Sequence, residues 1–320
     1  MGLFAWPKWW VTPRKLREKG ILGMNKRNAD YIMRYNPRRL YPLVDNKLIT
    51  KKLALENGIA VPALYGVIEI QHQIRDLEKM LAGRQQFVIK PAHGSGGNGI
   101  LVVTGRMNMG FQKAGGDLIN IEAIGHHVSN ILSGMYSLGG VPDMAIIEYC
   151  VQFDPFFEHI IYRGVPDIRV IVFRGVPVSA MIRLPTRESD GKANLHQGAM
   201  GIGIDITTGV SCPGVLHNKI MDKHPDTGYY VTTIAIPHWQ QILHTAVKCA
   251  DTVGLGYLGV DIVMDRELGP LMLELNARPG LNVQLANQMG LLKKLRQVEA
   301  IEKLPESVDG RIALAVKLEK

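Results

Sequence analysis

The sequence predicts an α+β fold, because it contains two β-hairpin patterns and a glycine-rich loop between two strands. The hairpin patterns lie at 167–183 and 259–276, and the loop lies at 93–99. Helical patterns separate these segments. The chain has 320 residues, of which 46% are hydrophobic, so it can bury a core in one large domain or several smaller ones.

The hairpin at 259–276 is expected to bring two carboxylates together. A turn at 266–269 would place Asp261 opposite Glu274. Alternation divides the second strand into a face with Leu271, Leu273 and Leu275 and a face with Met272, Glu274 and Asn276. Facing carboxylates repel each other, and oxygen ligands of this kind suit Mg²⁺, so the pattern predicts a metal site. A polar hairpin face that meets only solvent is the alternative interpretation.

The glycine-rich loop at 93–99 follows an apolar strand at 87–91 and precedes a strand at 100–103. Its G-x-G-x-x-G spacing does not fit a dinucleotide-binding fingerprint, because that motif needs a helix after the glycines. The loop also lacks the Gly-Lys-Ser/Thr ending of a P-loop, and a protein kinase places its lysine after the loop. The pattern therefore predicts a flap whose backbone N–H groups close over phosphates, with Lys90 supplying positive charge. A flexible turn without a ligand is the alternative.

The remaining elements are predicted from periodicity and from glycine or proline at their ends. Helices are expected at Asp45–Asn57, Gln71–Leu81, Ile121–Leu138 and Pro237–Val253, and the last of these should bury Ile242, Ala246 and Cys249. A strand is expected at Met144–Val151, where Glu148 indicates either a hidden partner or the edge of a nucleotide pocket. In the hairpin at 167–183, Asp167 and Arg169 should share one face.

The net charge of +8 indicates an anionic partner, such as nucleotide phosphate, an acidic peptide, nucleic acid or a lipid surface. Because no nucleic-acid-binding motif is recognised, a nucleic-acid partner is not expected. The cysteines are three and widely spaced, which fits a reducing compartment. No run approaches the roughly 18 apolar residues of a membrane span. The sequence therefore predicts a cytoplasmic protein.

Residues 1–44 form a predicted N-terminal arm that combines tryptophans with basic residues. Trp6, Trp9 and Trp10 lie at its start. This composition is typical of an interfacial anchor or a docking arm, which predicts a membrane-surface or membrane-protein partner and a peripheral position at the inner face of the membrane. An arm folded back over the domain, with its tryptophans half buried, is the alternative.

Several motifs occur in an order that resembles a known superfamily. They are Asp-Asn-Lys at a helix start, Val-Ile-Lys-Pro, the glycine flap, Ile-Glu-Tyr, Asp-Ile-Arg, Asn-Leu-His, Val-Asp-Ile and Glu-Leu-Asn-Ala-Arg-Pro-Gly. This set resembles the ATP-grasp fold, and within it the RimK-type α-L-glutamate ligases. The resemblance implies two α+β subdomains that clasp ATP, with a shortened N-terminal region. The implied divisions are an arm at 1–44, an ATP-grasp domain at 45–290 with a lid at about 60–145 and a metal and acceptor subdomain at about 146–290, and a C-terminal helix and tail at 291–320.

The resemblance also implies the site residues. The nucleotide-binding set would be Lys47, Lys90, Gly94, Ser95, Gly96, Gly97, Gly99, Glu148, Tyr149 and Asp167, with Glu148 and Tyr149 on the adenine side. The metal ligands would be Asp261, Glu274 and Asn276. The catalytic set would be Arg169, Lys90, Asn194 and Arg278, of which Arg278 could hold a substrate carboxylate bidentately.

The implied activity is that of an ATP-dependent carboxylate–amine ligase, with ATP and Mg²⁺ as cofactors and Mn²⁺ as an alternative metal. A carboxylate would accept the γ-phosphoryl group of ATP, and an amine would displace phosphate from the acylphosphate to give an amide or peptide bond. The acceptor would be a small molecule or a peptide, and the added group glutamate or another amino acid. An ATP-binding regulatory or membrane-associated module without ligase activity stays open as an alternative. A nucleic-acid-binding protein that uses the positive charge is the other alternative, and an oligomer is also left open.

Overall fold

The computed structural model describes residues 11–94, 96–107 and 110–319. Its strands form two antiparallel sheets, and its helices pack on the faces and ends of these sheets. The strands are β1 (Leu64–Ile68), β2 (Phe87–Pro91), β3 (Leu101–Met107), β4 (Gly110–Lys113), β5 (Leu118–Ile119), β6 (Ala145–Glu148), β7 (Asp167–Phe173), β8 (Val176–Leu184), β9 (Met200–Ile204), β10 (Ser211–Leu216), β11 (Lys219–Met221), β12 (Tyr257–Asp265) and β13 (Gly269–Asn276). The predicted α+β class is confirmed.

Most of the helices are short, and some are joined to π-helical or 3₁₀ segments. They are α1 (Pro13–Glu18), α2 (Met24–Lys26), α3 (Met33–Tyr35), α4 (Pro42–Asp45), α5 (Lys47–Glu56), α6 (Leu77–Met80), α7 (Ile121–Leu132), α8 (Trp239–Val253), α9 (Asn282–Ala286), α10 (Leu292–Glu299) and α11 (Val308–Glu319). A π-helical segment, Arg27–Ile32, joins α2 to α3, and a 3₁₀ segment, Gln71–Asp76, precedes α6.

The first sheet has the strand order β1-β6-β2-β3-β4-β5. Helix α7 covers it, and Ile124, Val128 and Ile131 belong to the same buried cluster as Phe87 and Ile89. Because β6 lies between β1 and β2, this sheet ends in sequence at Glu148. The subdomain boundary expected near 145 therefore lies before β6, although β6 belongs to the first sheet.

The second sheet has the order β11-β10-β9-β8-β7-β12-β13 and carries the larger core. Helix α8 packs against it, and Ile242, Ala246 and Cys249 are fully buried there, as the helical pattern predicted. The predicted hairpin at 167–183 is present as β7 and β8, with Arg174 and Gly175 at its turn. Adjacent strands β7, β12 and β13 carry the polar residues of the predicted site.

The hairpin of β12 and β13 confirms that Asp261 lies opposite Glu274, but the details of the prediction were wrong in two places. The turn is one residue shorter than expected, because Asp265 pairs with Gly269 and not with Pro270. A bulge at Leu273 then adds one residue to β13 and restores the expected register. The bulge also reverses the alternation, so Met272 is buried in the same core as Leu275 rather than sharing the face of Glu274.

All four predicted helices differ from the structure at their ends, and the one expected from Pro237 begins at Trp239. The helix expected at Ile121–Leu138 ends at Leu132, because the chain turns at Gly134, where φ is +82°. A Cβ at Gly134 would lie 2.3 Å from the carbonyl oxygen of Val141. The segment expected as one helix at Gln71–Leu81 is the 3₁₀ segment followed by α6. The helix expected from Asp45 begins at Lys47, with Asn46 as its N-cap.

The described part of the N-terminal region, from Leu22 onward, packs on the second sheet. Leu22, Ile32 and Val44 are buried in the larger core, and the Tyr31 ring meets the edge of Phe173 at 5.5 Å between centroids. This agrees with an arm folded back over the domain, whereas Trp6, Trp9 and Trp10 lie outside the described residues. Among the described helices, none has the length and apolar character needed to cross a membrane.

Buried Asn36 fastens this region to the second sheet, and its replacement by Ala should lower the free energy of unfolding by about 2–3 kcal/mol. Its Nδ2 donates to the carbonyl oxygens of Tyr257 (2.7 Å) and Ala277 (2.9 Å), and its Oδ1 accepts from the backbone N–H of Tyr257 (2.8 Å). The substitution leaves these buried groups without partners. Urea denaturation would measure the change, with exposed Asn57→Ala as the control, and equal losses in the two variants would contradict the prediction.

Candidate active site

Helix α5 positions two lysines toward the space between the sheets. Its N-cap is Asn46, whose Oδ1 accepts from the backbone N–H groups of Leu48 (2.9 Å) and Ile49 (3.1 Å). Lys47 and Lys51 lie four residues apart on this helix and therefore share a face. Lys47 Nζ donates to the carbonyl oxygen of Gly94 at the flap and lies 3.7 Å from a Glu274 carboxylate oxygen.

Two adjoining pockets form a cleft where α5, the flap and β13 meet. Lys47, Lys90 and Glu274 line both pockets. The other lining residues are Val44, Thr50, Lys51, Val61, Met272, Leu273 and Leu275 in one pocket and Pro91, Gly94, Gly96, Gly97 and Ile100 in the other. The structure therefore brings two predicted phosphate-binding lysines, three predicted flap glycines and one predicted metal ligand to a single cleft.

Behind this cleft, Lys51 and Lys90 enclose the buried carboxylate of Glu148. Lys90 Nζ contacts Oε1, and Lys51 Nζ lies 2.9 Å from Oε2 and also donates to the carbonyl oxygen of Pro62. Burial alone would raise the pKa of Glu148, but the two ammonium groups outweigh it and hold the pKa below its usual range. Burial lowers the pKa of Lys51 despite the nearby carboxylate. Glu148 thus fixes the position of Lys90, and it does so from inside the core.

A second buried ion cluster lies beside Glu274 in the second sheet. Arg169 donates from Nε and Nη2 to the two carboxylate oxygens of Asp261, at 2.7 and 2.6 Å. Arg183 contacts both oxygens of Asp167 and also donates to Asp261 Oδ2 at 3.0 Å. The Nδ2 of Asn276 donates to the same Oδ2 at 3.2 Å.

The pKa values of the two carboxylates in this cluster move in opposite directions. Burial opposes the ionised form of Asp261, but Arg169 and Arg183 outweigh it and lower its pKa to about 2. Burial and the neighbouring Asp261 raise the pKa of Asp167, against the opposing effect of Arg183. Asp261 is therefore a firmly ionised group that the two arginines neutralise.

The flap is open at its tip and fixed at both ends. Gly96 and Gly97 have φ of +66° and +79°, and no atom would lie within 4 Å of a Cβ at either position. At the far end, His127 Nε2 lies 2.9 Å from the carbonyl oxygen of Gly99, and a Cβ on Gly99 would lie 2.5 Å from the Tyr136 ring. Ser95, a predicted flap residue, lies outside the described residues.

Tyr149 follows β6, where the chain crosses from the first sheet to the second. Its hydroxyl donates to buried Asp265 at 3.0 Å, and burial together with this bond raises the pKa of Tyr149 to about 12. Asp265 also accepts from the backbone N–H groups of Gln152, Glu267 and Leu268. It therefore fastens the crossover to the hairpin of β12 and β13.

Two predicted catalytic residues have contacts away from these clusters. Arg278 is half exposed, donates to the carboxylate of Asp45 at 3.1 and 3.2 Å and stacks over Tyr41. Asn194 accepts from the backbone N–H of His196 at 3.0 Å within its own loop. Their roles toward a substrate stay predictions.

Three residues of these clusters were not predicted from the sequence: Lys51, Arg183 as an ion-pair partner, and Asp265. Lys51 follows Lys47 at helical spacing, which could have indicated a shared face toward Glu148. Arg183 and Asp167 lie at paired positions of one hairpin. Their spacing in the sequence could therefore have indicated that they form an ion pair. Asp265 gave no signal beyond that of a turn residue.

The described residues contain no group of three or more His, Cys, Asp or Glu side chains that could hold a metal by themselves. A Mg²⁺ ion that keeps waters and binds phosphate oxygens needs only one or two carboxylates. Glu274, with about a third of its side chain exposed to the cleft, fits that requirement, and the Oδ1 of Asn276 is a further oxygen. Asp261, predicted as a third ligand, is instead buried, and Arg169 holds both of its carboxylate oxygens.

Comparisons with known proteins identify the family of the chain. A family model described as sugar-transfer associated ATP-grasp matches residues 26–300. The chain belongs to the sugar-transfer associated ATP-grasp family. The ATP-grasp prediction is therefore confirmed. Five of the ten predicted nucleotide-binding residues line the cleft, namely Lys47, Lys90, Gly94, Gly96 and Gly97.

Relatives of this ATP-grasp protein carry the ligase name that the motifs suggested. A probable α-L-glutamate ligase from Citrobacter koseri is 26% identical over 249 residues, covering 75% of this chain and 61% of the relative. One from Maridesulfovibrio salexigens is 30% identical over 115 residues, covering 36% of this chain and 27% of the relative. The matches thus cover less than two thirds of the length of each of these curated relatives.

A solved structure of biotin carboxylase from Campylobacter jejuni shares the fold. It has a TM-score of 0.51 and 16% identity, and the match covers 85% of this chain and 49% of that chain. At this identity the likeness concerns the fold alone.

Proposed function

We propose that this protein is an ATP-dependent carboxylate–amine ligase. The observation that carries the proposal is the single cleft lined by Lys47, Lys90, the flap glycines and Glu274. Two ammonium groups and a glycine-rich backbone suit a polyphosphate, and a carboxylate on the opposite wall suits the cation that accompanies it. Family membership and the names of the curated relatives support the same activity.

In this proposal each residue has a defined task toward ATP. Lys47 and Lys90 bind phosphate oxygens, and buried Glu148 holds the Lys90 ammonium in place. The flap excludes water from the transferred phosphoryl group, since hydrolysis of an acylphosphate would waste ATP. Glu274 and Asn276 would hold Mg²⁺, with Asp261 as a third ligand, and Mn²⁺ is an alternative. The bound ion would neutralise charge on the phosphate oxygens.

The reaction follows from the weak electrophilicity of a carboxylate. The γ-phosphoryl group of ATP passes to a carboxylate oxygen and ADP leaves. An amine then attacks the carbonyl carbon, phosphate departs with the C–O bond electrons, and the amine loses a proton to give an amide. We propose glutamate or another amino acid as the added group and a small molecule or a peptide as the acceptor. Arg169, Asn194 and Arg278 stay candidates for contacts to the transferring phosphate and the acceptor.

One observation favours a second candidate function, a nucleotide-binding module without ligase activity. Arg169, the predicted contact to the transferring phosphate, is held bidentately by Asp261 and is not among the residues that line the cleft. A cytoplasmic location, a membrane-surface partner and an oligomer remain predictions. So does the division into an arm, a lid and a metal subdomain.

ADP release from Mg-ATP separates the two candidates. The purified protein would be incubated with Mg-ATP and pools of amino acids, with and without carboxylate small molecules or acidic peptides. Release that depends on one amine and one carboxylate, together with a product of the expected mass, would establish the ligase. Tight ATP binding without release under every pool would favour the nucleotide-binding module.

A further inference from the structure

We propose that His93 is a positioning residue that ties the root of the glycine flap to the N-terminus of α5. This inference rests on the proposed nucleotide-binding function of the cleft. It assigns a role to a His–Asp pair that the proposed chemistry does not use. His93 follows β2 directly and precedes the first flap glycine, Gly94.

The hydrogen bonds around His93 define its tautomer. The Oδ1 of Asn46 accepts the two N-cap bonds of α5, so the Nδ2 of Asn46 must be the group that faces His93. That Nδ2 lies 3.1 Å from Nε2 of His93, which therefore accepts. The proton of the neutral ring is then on Nδ1, which donates to Asp143 Oδ1 at 2.7 Å. Each polar atom of the Asn46 and His93 side chains is therefore assigned as a hydrogen-bond donor or acceptor.

Asp143 holds the His93 ring on the side opposite Asn46. Its side chain is fully buried, and it accepts from the backbone N–H groups of His93 (3.0 Å) and Met144 (2.7 Å) and from the hydroxyl of Ser137 (2.9 Å). Burial would raise the pKa of Asp143, but these donors together hold it below its usual range. An ionised, immobile carboxylate thus orients the imidazole.

The contact couples two parts of the nucleotide cleft. Asn46 is the residue before Lys47, and Lys47 donates to the carbonyl oxygen of Gly94, the residue after His93. The backbone N–H of Lys47 also donates to the carbonyl oxygen of Ala92 at 3.0 Å. The flap root and the phosphate-binding end of α5 are therefore joined as one unit. Pre-organising them reduces the entropy lost when a nucleotide binds.

Two variants test the tie in different ways. His93→Ala removes both contacts, whereas Asn46→Ser keeps a good helix cap but is too short to reach His93. Each should weaken binding of a non-hydrolysable ATP analogue by about tenfold in calorimetry. Each should also speed amide hydrogen exchange in a peptide that spans residues 92–101. His244→Ala is the matched control, because it removes a His–Asp pair (3.3 Å to Asp309) at the surface of α8.

The outcomes separate this inference from the proposed function. Wild-type affinity and wild-type flap exchange in both variants would overturn it, and so would a lower melting temperature with unchanged affinity. If the wild-type protein binds no nucleotide, the proposed function fails. In that case amide hydrogen exchange in the ligand-free flap alone tests the role of His93. Faster exchange in both variants supports this role, and unchanged exchange overturns it. If His93→Ala does not fold, Asn46→Ser gives the result.

Discussion

Replacing Glu148 with Gln is expected to lower the free energy of unfolding by roughly 3–5 kcal/mol, the usual cost of removing one partner from a buried ion pair. The carboxylate is 2% exposed and lies between Lys51 and Lys90, which are almost as deeply buried. The amide cannot neutralise two ammonium groups, so both would lose charge compensation. Chemical denaturation at neutral pH would measure the loss.

The pH dependence of this effect has a definite sign. The folded pKa of Glu148 is lowered from its ordinary value of 4.5, so its ion pairs stabilise the fold above that value. That stabilisation is lost as the pH falls through the lower folded pKa. In the Gln variant, alkaline pH should reduce the destabilisation, because Lys51, whose pKa burial lowers, can lose its proton. Exposed Glu302→Gln is the control, and an equally small effect at both positions would contradict the role of Glu148.

The pairing of the two acidic residues was predicted correctly from the sequence, but the turn length and strand alternation that lead to this pairing were not. Asp261 faces Glu274 as expected, but only because a shorter turn and the bulge at Leu273 compensate each other. Turn length and bulges depend on packing between strands that are distant in sequence, and local patterns do not contain that information. Met272 was assigned to the wrong face for this reason.

Long-range ion pairs were the second limit of prediction. The motifs identified Lys90 and Glu148 separately, and their direct contact depends on the pairing of β2 with β6. The contact of Lys51 with Glu148 depends on how α5 packs against the first sheet. In the same way, Asp261 was expected as a free metal ligand, whereas Arg169 and Arg183 surround it. Periodicity reports which face a side chain occupies. It does not report which charge from another element reaches that face.

Replacing Glu274 with Gln is expected to reduce Mg²⁺-dependent ADP release by at least about 100-fold, the range seen when one electrostatic group is removed from a reacting phosphoryl or acyl centre. Glu274 is the carboxylate that lines both pockets of the cleft, and the amide carries no charge for a cation. The fold should be unaffected, because the side chain is about one third exposed and its ion pair with Lys47 is long, at 3.7 Å.

Glu267→Gln is the matched control for this prediction, since it makes the same chemical change at an exposed position in the turn of the same hairpin. Steady-state ADP release would be measured at several Mg²⁺ concentrations, alongside binding of ATP without metal. Under the proposed function Lys47 and Lys90 would bind the phosphates without the cation, so metal-free ATP binding should persist in the Glu274 variant. Undiminished Mg²⁺-dependent turnover in that variant would show that the metal is held elsewhere, and the role of the β12–β13 hairpin in the chemistry would then be wrong.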